Sequence, residues 1–497
     1  MSEFPGSIAY FARAESRLFH LSVIKELKAK FGCRIHLYCN GVEQVAFYRK
    51  RPESEFLDSI EDAGFLLQAA TEQPGDPAET LKTAARLEEK IGRPYSRLTS
   101  ANRHLGRGFS PAGFYHPRSF TSKNATPLSI ANGYNKVLSF FFDSFEAKQI
   151  DLAINPYKEA AVVCNAVGIP YRAMAGSRYK NLHYWAWNEH YENPMFAERY
   201  AELKRQGTTP ELDLQRPYDA HMANRTDFFK QRSLTSAIKK SGYRAAQFAY
   251  WKIRGYEKGR KGYLPQDVVS LPFRSYREFK RLSQLSKTTL ADLKDQPFVF
   301  FPLHIEPEAA LQIISPEYLY QQAAITSLAR ELPAGVVLAV KEAFNMIGRR
   351  PPRFYEQLLE HKNVVILRTD QMGLDCSRQS LGIGTISGTA GLEATVSGRP
   401  VLSFGRHNMY NFLDSVTVIT DETQIYPALK SICARDYDGE AIRTEGRRFL
   451  DALAAESFDM GRFDYRDMNS YDQENVDSCV EKLVESVRSK LPAPPPY

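Results

Sequence analysis

The chain has few cysteines, and they form no pairing pattern. Six cysteines are spread over 497 residues, and no two of them have the C-x-x-C spacing. Structural zinc sites and disulfide frameworks need closely spaced or numerous cysteines, so neither is expected to organise this fold. We therefore expect reduced thiols, as in a cytoplasmic protein.

Long hydrophobic runs are also missing. No stretch approaches the roughly 20 apolar residues that a membrane-spanning helix needs, and Asp143 interrupts the longest apolar patch, residues 137–145. The N-terminal sequence MSEFPGSIAYFARAESR lacks the basic segment and apolar run of a signal peptide. These absences predict a cytoplasmic protein. They leave peripheral attachment to the inner membrane open.

The overall composition is that of a globular protein. Hydrophobic residues make up 43% of the chain and charged residues 25%, with a formal net charge of +7. A mild positive charge favours anionic partners without identifying one. The length is more than one typical domain contains, so two or three domains are expected.

Apolar segments alternate with segments of helical periodicity along most of the chain. Strand 7–12, helix 19–31 and strand 34–39 indicate a βαβ unit and a parallel sheet. The same alternation resumes near residue 297. The sequence predicts an α/β protein with two doubly wound, Rossmann-like domains that face a cleft, the arrangement called GT-B. The predicted parts are an N-terminal, acceptor-side domain (1–205), a C-terminal, nucleotide-donor domain (291–470) and a C-terminal helix with a Pro-rich tail (471–497).

A basic segment, residues 206–290, separates the two predicted domains. Between residues 225 and 287 it contains sixteen Lys or Arg and only four acidic residues, interleaved with aromatic residues. Its periodicity predicts a helical insertion. Three interpretations are open: a solvated face over a core-facing aromatic stripe, contact with anionic lipid, and phosphate contact with nucleic acid. No nucleic-acid-binding signature accompanies the segment, so the first two are favoured.

Residues 385–405 (TISGTAGLEATVSGRPVLSFG) have the pattern strand, glycine-bearing turn, helix, turn and strand. Backbone N–H groups at a helix start, together with the helix dipole, favour a bound phosphate. A carboxylate in the first helical turn can accept hydrogen bonds from a ribose. The alternative is a tight turn with no ligand. The stretch predicts a site for a nucleotide-linked donor, formed by Ser387, Gly388, Thr389, Ala390, Gly391 and Glu393.

Two other strand ends of the second predicted domain carry polar side chains. His304, Glu306 and Glu308 follow one strand, and Lys341 and Glu342 follow the next. Ligands of open α/β sheets bind outside the carboxyl ends of the strands. We predict that Glu306, Lys341 and Glu342 join the donor site and that His304 is catalytic. The alternatives are a strand-end cap at His304 and an exposed ion pair between Lys341 and Glu342.

Segments 301–308 and 387–393, with the strand before Lys341, together resemble bacterial capsule polysaccharide biosynthesis proteins. These are glycosyltransferase-like enzymes that include Kdo (3-deoxy-octulosonic acid) transferases. The resemblance is strongest over residues 297–410 and is not seen in the basic segment. It implies a GT-B fold and transfer of a sugar such as Kdo from a nucleotide sugar, CMP-linked for Kdo, to a glycan or lipid-linked saccharide. Such proteins usually have His-Pro where this chain has Ala343-Phe344, so an imidazole near the donor phosphate is missing.

The implied reaction needs a general base for the acceptor hydroxyl and fixed positive charge for the leaving phosphate. A helix N-terminus and basic side chains can supply that charge, so no metal and no cofactor beyond the donor substrate are expected. Glu15 and His20, just after the first strand, are the candidate bases, with solvated or capping residues as the alternative. Contacts to the acceptor or to phosphate are predicted for Arg103, His104, Arg107 and Arg178, with a solvated charged loop as the alternative.

The sequence thus predicts a metal-independent glycosyltransferase of bacterial capsule or surface polysaccharide biosynthesis. Its expected partners are a nucleotide sugar, a saccharide acceptor and an anionic membrane surface, and not nucleic acid. One alternative is a non-catalytic GT-B-like scaffold that binds glycan or nucleotide. Another is a polymer phosphotransferase that acts on a CDP-polyol. A non-hydrolysing sugar epimerase is disfavoured because such chains are usually shorter and lack a basic insertion.

Overall fold

The computed structural model describes residues 4–13, 16–102, 104–105, 120–214, 232–255, 264–306, 308–343, 346–347, 350–351, 353–461 and 470–494. The chain divides into two compact units. The first consists of Met1–Thr99, Asn124–Gln206 and Ala452–Tyr497, and the second of Ser100–Lys123 and Gly207–Asp451. Each unit is built on its own sheet.

The sheet of the first unit has seven strands in the order β13-β6-β5-β4-β1-β2-β3. The strands are β1 (Ser7–Phe11), β2 (Arg34–Cys39), β3 (Ser59–Asp62), β4 (Leu152–Ile154), β5 (Tyr171–Gly176), β6 (Leu182–Ala186) and β13 (Phe458–Asp459). The five neighbouring strands β3, β2, β1, β4 and β5 run parallel, while β6 and β13 are antiparallel to their neighbours. The order reverses between β1 and β4, which is the mark of a doubly wound sheet.

Helices of the first unit pack on this sheet and include the last helix of the chain. Trp185 on β6 donates a hydrogen bond from Nε1 to the carbonyl oxygen of Cys479 at 3.0 Å. The helices are Arg17–Phe31, Val42–Arg49, Leu66–Ala69, Pro77–Ile91, Tyr95–Ala101, Phe120–Asn124, Pro127–Lys148, Lys158–Val167, Met195–Arg205 and Gln473–Arg488, with a 3₁₀ turn at Pro52–Ser54. Tyr95–Ala101 and Phe120–Asn124 cross from one unit to the other.

The sheet of the second unit has six parallel strands in the order β12-β11-β10-β7-β8-β9. The strands are β7 (Phe298–Pro302), β8 (Val337–Lys341), β9 (Val364–Ile366), β10 (Ile383–Thr385), β11 (Val401–Ser403) and β12 (Val416–Val418). When the six strands are numbered in chain order and read from the β9 edge, their spatial order is 3-2-1-4-5-6, which is the Rossmann arrangement. The switch point lies between β7 and β10. The prediction of two doubly wound α/β sheets is therefore confirmed.

The core of the second unit is formed by buried residues of these strands, such as Val299, Phe301 and Leu338, and by the helices beside them. The helices are Leu234–Ile253, Pro265–Leu285, Ala309–Gln312, Gln322–Glu331, Phe354–Leu358, Gly373–Gln379, Thr389–Val396, Ile425–Ala434 and Gly439–Ala455, with 3₁₀ turns at Pro316–Tyr318 and Glu422–Gln424. None of the helices in the described ranges has both the length and the apolar character needed to cross a bilayer.

The basic segment is helical where it is described. Helix Leu234–Ile253 packs along helix Pro265–Leu285, and the hydroxyl of Ser241 donates to the carbonyl oxygen of Val269 at 2.8 Å. Leu282 of the second helix is buried in the core of the second unit. The segment thus groups with the second unit.

The unit boundaries differ in detail from the predicted domains. Residues from Ala452 onward group with the first unit, because β13 extends its sheet and helix Gln473–Arg488 packs against it. Residues 100–123 group with the second unit, although the predicted N-terminal domain included them. All six cysteines are free thiols.

Candidate functional site

The carboxyl ends of β7 and β10 are joined by a histidine. His304 follows β7, and its Nε2 accepts a hydrogen bond from the backbone N–H of Ser387, just after β10, at 2.9 Å. Gln321 holds the backbone of His304, donating to its carbonyl oxygen at 3.3 Å and accepting from its N–H at 2.9 Å. Ligands of doubly wound sheets bind at this switch point, so the predicted donor-site segments do meet at a candidate site.

The turn after β10 is shaped by close contacts at its glycines. A β-carbon at Gly388 would lie 3.3 Å from Nε2 of His304. A β-carbon at Gly391 would lie 2.7 Å from Cε2 of Tyr410 and closer still to its hydroxyl. That hydroxyl donates to the carbonyl oxygen of Gly388 at 3.0 Å. Gly391 is therefore required for packing against Tyr410, and a side chain at Gly388 would crowd His304.

Gly388 is the N-cap residue of helix Thr389–Val396, and no side chain caps this helix. The first N–H groups of a helix have no acceptor within the helix. The N–H of Ser387 is taken by His304, so the remaining candidate donors of the turn are the N–H groups from Gly388 to Gly391. The predicted phosphate contact therefore does not include the N–H of Ser387.

A buried ion cluster supports the ends of β7 and β8. Arg350 is fully buried and binds both carboxylate oxygens of Glu342, with Nε–Oε2 and Nη2–Oε1 distances of 2.8 and 2.7 Å. It also donates to Glu306 at 3.0 Å and to the carbonyl oxygen of His304 at 2.6 Å. Tyr355 donates to Oε2 of Glu342 at 2.6 Å. One guanidinium thus fixes both strand ends.

The electrostatics of this cluster are consistent with a permanent ion pair. Burial alone would lower the pKa of Arg350, but Glu342 and Glu306 raise it above its ordinary value. Burial, followed by the Glu342 carboxylate, raises the pKa of Tyr355 well above its usual range, so its hydroxyl stays a donor. Arg350 and Tyr355 were not identified from the sequence, since no motif surrounds either residue.

The interpretation of Lys341 and Glu342 as an exposed ion pair is wrong. Glu342 is buried against Arg350, while Nζ of the half-buried Lys341 donates to the backbone carbonyl of Glu342 at 3.2 Å. Glu306 is buried on the other side of Arg350. These two carboxylates hold the strand ends in place, and Lys341 is the predicted donor-side residue nearer the surface.

Glu393 is half-buried in the first turns of helix Thr389–Val396. Burial raises the pKa of its carboxyl, and Arg378 partly opposes that effect. Arg406, three residues after the end of β11, is exposed. Sequence reasoning did not single out Arg406, although its position after a strand in a parallel sheet was a usable signal.

Of the two candidate bases of the first unit, His20 lies within the described residues. His20 is only 2% exposed, and its Nδ1 is hydrogen-bonded to the hydroxyl of Tyr10 at 2.6 Å. Burial first, and then Arg13 and His183, lower the pKa of His20 to about 3, so the ring is neutral near pH 7. Glu15 lies outside the described residues. A catalytic role for either stays a prediction.

Two of the four predicted acceptor-side residues, His104 and Arg178, lie in the described ranges. Arg103 and Arg107 lie outside the described residues. His104 is half-buried, its N–H donates to Oδ1 of Asn102 at 2.8 Å, and it belongs to the second unit. Arg178 is exposed in the turn between β5 and β6 of the first unit, with a positive φ of 66°. Their contact with an acceptor remains a prediction.

One D-x-D spacing, Asp436-Tyr437-Asp438, occurs in the chain. Asp438 accepts hydrogen bonds from the N–H groups of Glu440 and Ala441, so it caps helix Gly439–Ala455. Tyr437 donates to the carbonyl oxygen of Leu381 at 2.8 Å. Across the described part of the chain, no cluster of three or more His, Cys, Asp or Glu could hold a metal ion.

Similarities to solved structures are weak. They include a putative UDP-N-acetylglucosamine 2-epimerase from Listeria monocytogenes (9% identity, 100% of both chains, TM-score 0.27). KpsC, a beta Kdo 2,4 transferase of Thermosulfurimonas dismutans, shares 10% identity over 60% of this chain and 79% of its own, with a TM-score of 0.28. ADP-heptose lps heptosyltransferase II of E. coli shares 10% over 86% and 99%, with a TM-score of 0.24. No functional argument rests on likenesses of this size.

Among curated proteins none matches the sequence significantly. A family profile does match, that of the capsule polysaccharide biosynthesis proteins, over residues 209–425. The match contains His304, the Arg350 cluster and the Ser387–Glu393 turn. It begins upstream of the predicted range and includes the basic helices, in which no resemblance was seen. The predicted resemblance to capsule polysaccharide biosynthesis proteins is therefore confirmed over residues 209–425.

Proposed function

We propose that the protein is a glycosyltransferase of bacterial capsule or surface polysaccharide synthesis that uses a nucleotide-sugar donor. The observation that carries the proposal is the hydrogen bond between His304 and Ser387. This bond holds the turn before helix Thr389–Val396 at the switch point of a Rossmann-like sheet. The family match over residues 209–425 supports the same role. Kdo carried on CMP is the donor that the family suggests.

In the proposed complex the donor phosphate lies at the N–H groups of Gly388, Thr389 and Ala390. Backbone donors and a helix dipole stabilise the negative charge that develops on the leaving phosphate. Lys341 and Arg406 add positive charge beside the strand ends, so the proposed reaction needs no metal and no further cofactor. Glu393 accepts hydrogen bonds from the ribose.

The proposed general base is Glu15. The imidazole of His304 is engaged with Ser387 through Nε2, and His20 is buried against Tyr10. Neither ring is therefore well placed to take a proton from an acceptor hydroxyl. A carboxylate just after β1 is four residues from the end of a parallel strand, where ligands of such sheets bind.

The proposed acceptor is a glycan or a lipid-linked saccharide, contacted by Arg103, His104, Arg107 and Arg178. The proposed place of action is the cytoplasmic surface of the inner membrane, where lipid-linked precursors are available. Exposed basic residues support an anionic partner.

Calorimetry with CMP, UDP and CMP-Kdo, followed by turnover assays with the same donors, tests the proposal. We expect saturable binding of one nucleotide class and its loss in Gly388→Ala, because the added methyl group would crowd His304 and the phosphate position. Gly373→Ala is the matched control, since a β-carbon at Gly373 meets nothing within 4 Å. Failure of every nucleotide to bind would overturn the proposal.

Turnover then separates an enzyme from a scaffold. Glu15→Gln should abolish sugar transfer and leave donor affinity unchanged, because an amide cannot accept the proton. Nucleotide binding by the unaltered protein without transfer to any saccharide acceptor would instead favour a non-catalytic scaffold. Release of CMP with transfer of a polyol phosphate would favour a polymer phosphotransferase.

A further inference from the structure

Helix Leu234–Ile253 has very little of its surface buried. Of its twenty residues only Ala237 and Ser241 are buried, and both face helix Pro265–Leu285. Ile238 is 54% exposed and Ile253 is 82% exposed. Soluble proteins rarely leave contiguous large apolar side chains in water unless they serve an interaction.

The exposed apolar residues form a stripe along the outer side of this helix. At 100° per residue, Ile253 lies about 160° around the axis from Ala237, and Ile238 lies about 60° from Ile253. The two isoleucines are about 22 Å apart along the axis. Leu234, Tyr243 and Tyr250 are also exposed. They flank the isoleucines, with Leu234 about 40° beyond Ile238, and Tyr250 and Tyr243 about 60° and 80° beyond Ile253. The helix therefore presents an outward apolar stripe parallel to its axis.

Positive charge borders this stripe on both sides. Lys239 and Lys252 are exposed. Viewed down the axis, Lys239 lies about 40° beyond Ile253 and Lys252 about 40° beyond Ile238, on opposite sides of the two isoleucines, and each lysine is about 21 Å along the axis from that isoleucine. Residues 234–254 contain five Lys or Arg and no acidic residue. In the neighbouring helix Pro265–Leu285, Asp267 pairs with Arg274 and Glu278 is buried, so acids of that helix do not neutralise this surface.

We propose that this outer face of helix Leu234–Ile253 binds an anionic lipid surface. A helix that lies in a membrane interface buries its apolar side in the headgroup region and extends lysines to lipid phosphates. Exposed tyrosines suit the same interface, because they have an apolar ring and a polar tip. The apolar stripe, the lysines on either side of it and the absence of acidic residues all suit an anionic lipid surface.

Charge argues against two other partners. A second copy of the chain would place one acid-free basic face against another, and like charges oppose such contacts. A nucleic acid would leave the isoleucine stripe in water between the lysines, since phosphates make no use of apolar side chains. The lipid proposal does not depend on the proposed catalytic activity.

Co-sedimentation of the full chain with vesicles tests the proposal. The vesicles contain phosphatidylcholine alone or phosphatidylcholine and phosphatidylglycerol in equal parts. We expect binding to the anionic vesicles only, weakened by salt. Each basic residue near an anionic surface contributes about a five-fold increase in binding, so Lys239→Glu with Lys252→Glu should reduce binding by at least about 25-fold.

Two further variants make the test specific. Ile238→Asn with Ile253→Asn should also abolish vesicle binding, while the exposed positions keep the melting temperature unchanged. Lys82→Glu with Arg86→Glu makes the same charge change on an exposed face of helix Pro77–Ile91, which carries acidic residues, and should leave binding intact.

Several results would overturn the proposal. These are equal binding to both kinds of vesicle, no binding to either, and equal losses in the Lys82/Arg86 control. Self-association in analytical ultracentrifugation that Ile238→Asn with Ile253→Asn abolishes, without any vesicle binding, would show a contact between copies instead. Donor binding by the lysine and isoleucine variants should be unchanged, which keeps this test separate from that of the proposed reaction.

Discussion

The Nε2 atom of His304 accepts a hydrogen bond from the backbone N–H of Ser387 at 2.9 Å. A ring nitrogen that accepts carries no proton, so the imidazole bears its hydrogen on Nδ1 when neutral. The two residues follow β7 and β10, the strands on either side of the switch point. His304 therefore fixes the turn at which a donor phosphate is proposed to bind.

His304→Ala should lower the free energy of unfolding by about 1–3 kcal/mol, because the buried N–H of Ser387 loses its acceptor. Donor affinity should fall as well, since the turn is no longer held. His304→Gln should recover part of both, because an amide oxygen can accept the same bond. Denaturant unfolding and calorimetry measure the two effects. Lost transfer with unchanged stability and donor affinity would instead identify His304 as the general base.

Arg350→Met should destabilise the second unit by about 3–5 kcal/mol. The variant leaves Glu342 and Glu306 buried without their cation, and breaking a buried ion pair costs about that much. Adding Glu342→Gln should recover part of the loss, since one uncompensated charge is removed. Denaturant unfolding of the three proteins measures the effect.

Arg330→Met is the matched control for that experiment. Arg330 pairs with Glu422 at the surface, at 2.9 Å, and both side chains are more than half exposed. Water already solvates both charges, so the same substitution should leave the unfolding curve almost unchanged. Equal losses in Arg330→Met and Arg350→Met would contradict the structural role assigned to the buried cluster.

Much of the fold could be predicted from local patterns. Strand Arg34–Cys39 was predicted with its observed bounds, and helix Arg17–Phe31 was predicted from residue 19 to 31. A buried parallel strand is a nearly continuous apolar run, and an amphipathic helix has a strong periodicity of about 3.6 residues. β3 (Ser59–Asp62) and β12 (Val416–Val418) were not predicted. Both are short edge strands, and their pattern is too brief to distinguish from a loop.

The position of the candidate site could be predicted from the sequence, but its side-chain contacts could not. His304 and the Ser387–Glu393 turn were identified because they follow predicted strands, and the carboxyl ends of parallel strands lie at the same edge of a sheet. The partner of Glu342 was not predictable: Arg350 is eight residues away in the sequence, and only the fold brings its guanidinium to the carboxylate. The local sequence does not show whether a Lys-Glu pair after a strand is buried or exposed.

Gly391→Ala should destabilise the protein by about 1–3 kcal/mol, the usual cost of overpacking a core. The added β-carbon would overlap the ring of Tyr410, whose hydroxyl is bound to Gly388. Donor affinity should fall with stability because the turn must move. Combining Gly391→Ala with Tyr410→Ala should cost less than the sum of the two single changes. Thermal unfolding of the four proteins measures this coupling, and strict additivity would contradict the contact.

The buried His20 should make the first unit less stable as the pH falls. Its pKa is about 3 when folded and 6.5 in the ordinary case, so between these values the unfolded chain binds a proton that the folded chain does not. The free energy of unfolding should therefore decrease by up to about 1.4 kcal/mol per pH unit below pH 6.5. His20→Gln, which keeps a polar partner for Tyr10, should reduce this slope. Denaturant unfolding between pH 7 and pH 4 measures the slopes. If instead His20→Gln abolished transfer at neutral pH without changing the slope, His20 would act on the substrate rather than in the core.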